Sequence, residues 1–243
     1  MLQHYHLSQV DSTNAYLQRK QSEADIRNWV VSADEQTAGK GMGSNGWESE
    51  AGQNLTFSVA LDVGFLPAER QFLLSEAVPL GILDVLDTLL PAEKLFVKWP
   101  NDLYFGNHKL GGILINSTIK ANKMDVSIIG IGLNVNQTQF KEWPTRPISM
   151  KMVTGKTYDL PLLLDPIIER IIIKVQQLEA DRFAIGQEYT KRLLRYHAWA
   201  DYEVDGKKTR LFMTGIDRFG RLQLIDEQHV LHTFDIKEIK YEF

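Results

Sequence analysis

The sequence predicts an α/β domain followed by a small all-β domain, and two patterns lead to this prediction. Over residues 1–150, segments with the alternating pattern of strands are interspersed with segments whose apolar residues recur at helical spacing. After about Tyr196, short strand-like segments follow one another closely, with turns at Asp205-Gly206 and Phe219-Gly220. Such spacing is typical of a small β-barrel or sandwich. We therefore place a domain boundary between residues 195 and 196, which divides the chain into residues 1–195 and 196–243.

The individual elements follow from periodicity and from helix start and stop signals. Strands are predicted over residues 29–33, 54–61, 95–99, 110–116 and 126–135, and in the second domain over 202–204, 210–216, 222–225 and 230–234. Helices are predicted over residues 15–21, 67–90 and 161–180. The first follows the N-cap formers of residues 11–14. The second is framed by Pro67 and Pro91 and contains Pro79, which should kink it.

Composition excludes several functional classes. The chain has 243 residues, of which 44% are hydrophobic and 24% charged, and this is enough apolar material for a folded core. The net charge of −4 argues against sequence-independent nucleic-acid binding, which depends on neutralising phosphates. The absence of cysteine excludes disulfides, thiolate zinc sites and a cysteine nucleophile. No secretory signal and no run of about 18 apolar residues is visible, so we expect a cytoplasmic protein that does not enter a membrane.

The strongest local signal is the glycine-rich stretch from Gln36 to Trp47. Four of the eight residues from Gly39 to Gly46 are glycine, which allows unusual backbone angles and lets amide groups approach an anion closely. Lys40 adds a positive charge, and Trp47 offers a ring on which a base could stack. The stretch has neither the ending of a Walker loop nor the spaced glycines of a dinucleotide-binding fold. A flexible connection between strands is the alternative interpretation.

Three further stretches place polar or small residues beside predicted strands. In Lys98-Trp99-Pro100-Asn101-Asp102, the proline blocks further strand pairing and turns polar side chains outward. Lys109-Leu110-Gly111-Gly112 follows it, and an ordinary hairpin turn would explain both stretches. Gly130 and Gly132 interrupt a buried strand and indicate close approach by a ligand or another backbone, or else a bulge. The side chain of Asn134 can both donate and accept hydrogen bonds, which suits contact with the edge of a nucleotide base or with a ribose. The paired histidines near both ends of the chain lack neighbouring carboxylates, and we predict no metal site there.

In this order and spacing, these stretches resemble the biotin protein ligases, which attach biotin to carrier domains of biotin-dependent carboxylases. The resemblance rests on residues 11–14, 36–47, 98–102, 109–114 and 130–134. It implies a catalytic α/β domain with a mixed sheet flanked by helices, followed by an SH3-like barrel. It also implies an ATP-dependent reaction, in which biotin is activated as biotinyl-5′-AMP with release of diphosphate and then transferred to a lysine of a biotin carboxyl carrier protein, for example of acetyl-CoA carboxylase.

The resemblance further implies a role for each matching residue. Lys109 would neutralise charge where biotin's carboxylate meets the α-phosphate, and Asp102 would orient the carrier lysine or help to remove its proton. ATP would bring Mg²⁺, held largely by phosphates. The expected biotin contacts are Ser12, Thr13, Asn14, Gln36, Gly39, Lys40, Gly41, Met42, Lys109 and Gly112. The expected nucleotide contacts are Trp47, Asn101 and Asn134.

Two departures from the family pattern affect these expectations. The family commonly reads Gly-Arg-Gly-Arg where this chain has Gly39-Lys40-Gly41-Met42. Lysine lacks the planar fork of arginine and Met42 removes a charge, so we predict a looser grip on the adenylate. The matching residues begin at Asp11, and we therefore expect no DNA-binding winged helix and no repressor activity. Whether the protein is a monomer or a homodimer stays open.

Two alternative functions remain at this point. A lipoate–protein ligase of related fold would use the same adenylation chemistry on another acid, although the Trp-Pro-Asn-Asp and glycine-rich stretches favour biotin. A non-catalytic sensor of biotin or nucleotide would keep the pocket and transfer nothing. Loss of Lys109 or of the glycines would be typical of such a sensor, and both are present.

Overall fold

A seven-stranded mixed sheet is the main element of the computed structural model, which describes residues 2–43, 45–141 and 146–243. In chain order, the strands and helices of the first part are β1 Gln3–Val10, α1 Thr13–Lys20, β2 Trp29–Gln36, β3 Leu55–Asp62, α2 Phe72–Leu86, β4 Leu95–Lys98, β5 Asp102–Phe105, β6 His108–Lys120, β7 Lys123–Leu133, α3 Met150–Thr154, α4 Leu160–Ala180 and α5 Arg182–Lys191. The order of strands across the sheet is β1-β2-β3-β7-β6-β5-β4. Only β1 and β2 pair in parallel, and the other neighbours are antiparallel.

The two faces of this sheet bury different sets of side chains because successive residues of a strand point to opposite faces. Val30, Val59 and Ile129 belong to the large core beneath α2 and α4. Their chain neighbours, such as Val31 and Ala60, belong to a smaller core beneath α1. The helix α1 therefore lies against the face of the central strands that is opposite to α2 and α4, with its first residues shortly after the end of β1.

Helices α2 and α4 cover the larger core and pack closely together. A Cβ added to Gly81 of α2 would lie 2.6 Å from the backbone of Ile171 in α4, so this crossing requires a residue without a side chain. Pro79 lies inside α2, which is shorter than the predicted helix over residues 67–90. No helix in the described part of the chain is long and apolar enough to span a membrane.

A second, antiparallel sheet follows α5. Its strands are β8 Trp199–Val204, β9 Lys207–Ile216, β10 Leu222–Ile225, β11 Leu231–Phe234 and β12 Ile239–Tyr241, in the order β11-β10-β9-β8-β12. Buried residues of this sheet, among them Tyr202 and Met213, belong to the same apolar cluster as the main core. The predicted fold class, a mixed α/β domain followed by a small all-β domain, is confirmed. The boundary between residues 195 and 196 stays a prediction.

Candidate active site

The predicted site residues, which are scattered over more than a hundred positions of sequence, come together around one cavity. It lies where the start of α1, the glycine-rich loop after β2 and the strands β6 and β7 meet. All of the predicted residues line it except Gly39 and Asn134. The lining residues are Ser12, Thr13, Asn14, Gln36, Lys40, Gly41, Met42, Asn45, Gly46, Trp47, Asn101, Asp102, Lys109, Gly112, Ile113, Leu114, Gly130, Ile131 and Gly132.

The start of α1 presents a set of short polar side chains to the cavity. Ser12 is the N-cap and accepts a hydrogen bond from the amide of Ala15 at 3.5 Å, as predicted for a helix beginning here. The amide nitrogen of Thr13 donates to Oε1 of Gln36 at 2.8 Å. Ser12, Thr13 and Asn14 are each less than 5% exposed. These polar groups are therefore held in fixed positions at the base of the cavity.

Ser58 joins these groups into one hydrogen-bonded network. Its hydroxyl donates to Oδ1 of Asn14 at 2.6 Å and lies 2.7 Å from the hydroxyl of Thr13. The side-chain nitrogen Nδ2 of Asn14 in turn donates to the carbonyl of Leu114 at 3.1 Å. Ser58 is fully buried and was not among the predicted residues. A serine at the centre of the mostly apolar strand β3 is the sequence signal that would have pointed to it.

The two glycines of β7 make room for side chains from other elements. A Cβ at Gly130 would lie 2.4 Å from Oδ1 of Asn14, and a Cβ at Gly132 would lie 2.3 Å from the ring of Trp47. No side chain but hydrogen fits either position without displacing a neighbour. The groups that approach these glycines are thus the side chains of Asn14 and Trp47, whereas the sequence predicted a ligand, another backbone or a bulge, and β7 is not bulged in its pairing with β3.

The glycine-rich loop folds back on itself above the cavity. The amide of Trp47 donates to the carbonyl of Gly39 at 2.9 Å, and that of Gly41 donates to Asn45 at 2.8 Å. A Cβ at Gly39 would lie only 2.4 Å from the carbonyl oxygen of Trp47, so Gly39 serves the closure of the loop and does not line the cavity. The indole nitrogen of Trp47 is buried without a hydrogen-bond partner among the described residues.

A lysine–carboxylate pair also lines the cavity. Nζ of Lys109 lies 2.7 Å from Oδ1 of Asp102, and the two side chains are 22% and 17% exposed. Asp102 faces Gly112 across the β5–β6 ladder, and a Cβ at Gly112 would lie about 3.5 Å from both members of the pair. The absence of a side chain there leaves the ammonium group open toward the cavity. At this degree of burial a positive charge interacts more strongly with an anion than it does in water.

Asn101 and Asn134 support the backbone of this region. The side-chain nitrogen of Asn101 donates to the carbonyl of Ile113, and the amide of Ile113 donates back to Asn101 at 3.0 Å. Asn134 is 3% exposed and donates to the carbonyls of Ile148 at 3.1 Å and Lys109 at 3.4 Å. In this conformation Asn134 holds the strand that carries Lys109 and does not reach the cavity, so its nucleotide contact stays a prediction.

The half-buried Lys98 of the same motif does not line the cavity. Lys98 lies over the ring of Tyr241 at 5.1 Å and over that of Tyr104 at 5.7 Å, a cation–π arrangement. Burial lowers the pKa of the Lys98 amine, and the nearby carboxylate of Asp102 opposes this shift.

The free volume of the cavity is small, at about 100 Å³, whereas pockets for cofactor-sized ligands usually measure about 300–1,000 Å³. Across residues 2–43, 45–141 and 146–243, no group of three histidine, aspartate or glutamate side chains is placed to hold a metal ion. The described lining residues offer hydroxyls, side-chain amides, the ammonium group of Lys40 and the Lys109–Asp102 pair as chemical groups.

The family profile and the individual proteins that match this chain indicate the same class of protein. The profile of the Biotin/lipoate A/B protein ligase family matches residues 7–134. The biotin--[acetyl-CoA-carboxylase] ligase of Paracoccus denitrificans is 30% identical over 183 residues, which cover 73% of this chain and 75% of that protein. A protein of the same name from Mycobacterium tuberculosis is 37% identical over 134 residues, which cover 54% of this chain and 48% of that protein. The chain thus spans about half the length of the latter relative.

Solved structures share the fold over the whole chain. The biotin protein ligase from Aquifex aeolicus in complex with biotin and ATP superposes with a TM-score of 0.80, at 23% identity, and the alignment covers 100% of both chains. A biotin protein ligase from Leishmania major in complex with biotinyl-5-AMP has a TM-score of 0.65 at 21% identity, covering 96% of this chain and 98% of that one.

Proposed function

Because the chain belongs to the Biotin/lipoate A/B protein ligase family, we propose that it activates biotin with ATP and transfers the biotinyl group to a carrier lysine. The single observation that carries this proposal is that the ammonium group of Lys109, beside Asp102, lines the same cavity as the polar network at the start of α1. A site with polar groups at one end and a cation at the other fits a ligand with a polar ring and a carboxylate.

We assign the polar end to the ureido ring of biotin. The ring offers N–H donors and a carbonyl acceptor, and Ser12, Thr13 and Asn14 with Gln36 supply complementary groups. Their hydrogen bonds to each other and to Ser58 fix their orientation before a ligand arrives, which reduces the entropy lost on binding. The apolar stretch of Ile113, Leu114 and Ile131 would contact the aliphatic part of the ligand.

In the first step, an oxygen of biotin's carboxylate attacks the α-phosphorus of ATP, and the bond to the β-phosphate oxygen breaks. Biotinyl-5′-AMP and diphosphate are the products. Both reactants are anions, so the positive charge of Lys109 acts by lowering their repulsion where they meet. Lys40, on the loop above, would add a second charge on the phosphate side.

In the second step, the amine of a carrier lysine attacks the carbonyl carbon of the mixed anhydride, and AMP leaves. The amine must lose a proton for the amide to form. Asp102 is the one carboxylate among the described residues that line the cavity, and we assign it to orienting the amine or accepting its proton.

The small free volume suggests that the loop moves when the nucleotide binds. Trp47 packs on Gly132 and leaves its indole nitrogen without a partner, so displacing it costs no hydrogen bond. Trp47 and the loop from Gly39 to Gly46 would then close over the adenylate and keep water from the anhydride.

The remaining assignments complete this proposal. We propose that Mg²⁺ enters with ATP and is held largely by phosphate oxygens, and that the macromolecular substrate is a biotin carboxyl carrier domain such as that of acetyl-CoA carboxylase. A cytoplasmic location accords with the lack of cysteine. The relatives named for biotin ligation make a lipoate ligase or a non-catalytic sensor the less favoured interpretations.

A transfer assay with matched lysine variants tests the proposal. Purified protein, biotin, ATP and Mg²⁺ are incubated with a carrier domain, and biotinylated carrier is quantified. We expect Lys109→Ala to lower the rate by at least about 100-fold, the order found for the loss of a preorganised electrostatic group. Lys208→Ala is the control, because Lys208 is 69% exposed in a surface ion pair and should leave the rate unchanged. Equal rates for wild type and Lys109→Ala would contradict the assigned role.

A further inference from the structure

The turn that carries Asn101 and Asp102 is held by groups from outside the main sheet. The edge strand β4 leads into this turn, and the segment after α5 pairs with β4. The amide of Val97 donates to the carbonyl of Arg192, and the amide of Leu194 donates to the carbonyl of Val97, both at 2.8 Å. The next two residues, Trp99 and Pro100, each form a hydrogen bond with a different element. These contacts precede Asn101 and Asp102 in the chain, and both of those residues line the cavity.

Trp99 connects the turn to the second sheet. It is 4% exposed, and its indole nitrogen donates to the carbonyl of Gly220 at 2.8 Å. Gly220, in the turn between β9 and β10, has a φ of +83°, and a Cβ there would lie 2.0 Å from the ring of Phe72. The acceptor is therefore itself held between the second sheet and α2.

Tyr189 holds the following residue. This side chain is fully buried in α5, and its hydroxyl donates to the carbonyl of Pro100 at 3.0 Å. Burial, together with the negative charge of nearby Glu76, raises the pKa of Tyr189 well above its usual value. The hydroxyl thus keeps its proton and acts as a permanent donor.

We propose that Tyr189 is a positioning residue for the reaction, acting through Pro100 on Asn101 and Asp102. This proposal deepens the proposed function and rests on it. Tyr189 lies outside residues 7–134, which the family profile matches, and no motif in the sequence pointed to it. Its hydroxyl touches neither the cavity nor the expected ligands.

The expected effect follows from the short path between the hydroxyl and the ion pair. Asp102 is two residues from Pro100 and holds Lys109 at 2.7 Å. Without the hydroxyl, the carbonyl of Pro100 loses this buried donor, and the turn can shift to find another. A displacement of about 1 Å in a reacting group is enough to slow a reaction substantially. The polar network at the biotin end is built from α1, β2 and β3 together with Leu114 of β6, and the hydrogen bonds named above for it do not involve Pro100, Asn101 or Asp102.

Tyr189→Phe and Tyr202→Phe form a matched pair for the test. Tyr202 is equally buried, but its hydroxyl has no hydrogen-bond partner among the described residues. In the transfer assay we expect Tyr189→Phe to lower kcat about ten-fold with KM for biotin within about two-fold of wild type, and Tyr202→Phe to retain wild-type kinetics. A ten-fold change corresponds to about 1.4 kcal/mol.

A second readout does not depend on activity. Hydrogen–deuterium exchange of the peptide covering residues 99–103 should be faster in Tyr189→Phe than in wild type and unchanged in Tyr202→Phe. Wild-type kinetics for Tyr189→Phe, or an equal loss in both variants, would overturn the positioning role. If wild type transfers no biotin, the proposed function fails. In that case, unchanged exchange in Tyr189→Phe would overturn the inference as well. Faster exchange in Tyr189→Phe would support the role of the contact in holding the turn.

Discussion

A buried carboxyl group near Tyr189 gives a quantitative test of the structure. Glu76 on α2 is 7% exposed, and one of its oxygens is buried without a hydrogen-bond partner among the described residues. Burial raises its pKa from 4.5 to about 7, an effect that Arg70 partly opposes. Each pKa unit corresponds to about 1.36 kcal/mol. Ionisation of Glu76 in the folded protein therefore costs on the order of 3 kcal/mol.

The sign of the pH dependence follows from this shift. Below about pH 4.5 the carboxyl is protonated in both the folded protein and the unfolded chain, so it adds no pH dependence to the free energy of unfolding. Between about pH 4.5 and 7 it ionises in the unfolded chain but not in the folded protein, so its contribution to the free energy of unfolding falls. Above pH 7 it is ionised in both states and the penalty is constant. Glutamine keeps the shape and removes this dependence.

Urea unfolding at pH 5 and pH 8 measures the effect. As the pH rises from 5 to 8, we expect the free energy of unfolding of Glu76→Gln to increase by about 2–3 kcal/mol relative to that of wild type. The exposed Glu93 provides a control, and Glu93→Gln should show no comparable gain. A difference between Glu76→Gln and wild type that does not change with pH would refute the reasoning.

Two further substitutions test the cavity itself. Met42→Arg should slow release of the bound adenylate, because arginine restores a charge and a two-pronged grip beside the phosphate; unchanged release in a chase experiment would count against this. Ser58→Ala removes the donor to Asn14 and should weaken biotin binding about ten-fold, the usual scale for leaving a buried acceptor without a partner; calorimetry that gives the wild-type affinity would rule out a role for the network.

Sequence reasoning predicted the elements whose determinants are local. The cluster of N-cap formers before Ala15 predicted α1, and Ser12 does cap it. The alternation around Phe57 predicted β3. The order of the motifs predicted that Lys109 and Asp102 belong to one site, and the β5–β6 ladder brings them together.

The features that were missed depend on partners distant in sequence. The edge strand β1 is mostly exposed, so its sequence lacks the buried face that would mark it as a strand. Helix α5 is short and polar, and nothing in the pattern around Tyr189 indicates that its hydroxyl reaches Pro100. The hydrogen bonds from Asn134 to backbone carbonyls also depend on residues brought together by packing, and its predicted nucleotide contact stays a prediction.

The most direct test of the proposed function is the stoichiometry of the wild-type reaction with a purified carrier domain. The proposal predicts that each biotin transferred releases one diphosphate and one AMP, and that lipoate does not replace biotin. Transfer of lipoate in place of biotin would assign the protein to the other activity of its family. Tight biotin binding with neither diphosphate release nor transfer would contradict the proposal and indicate a sensor.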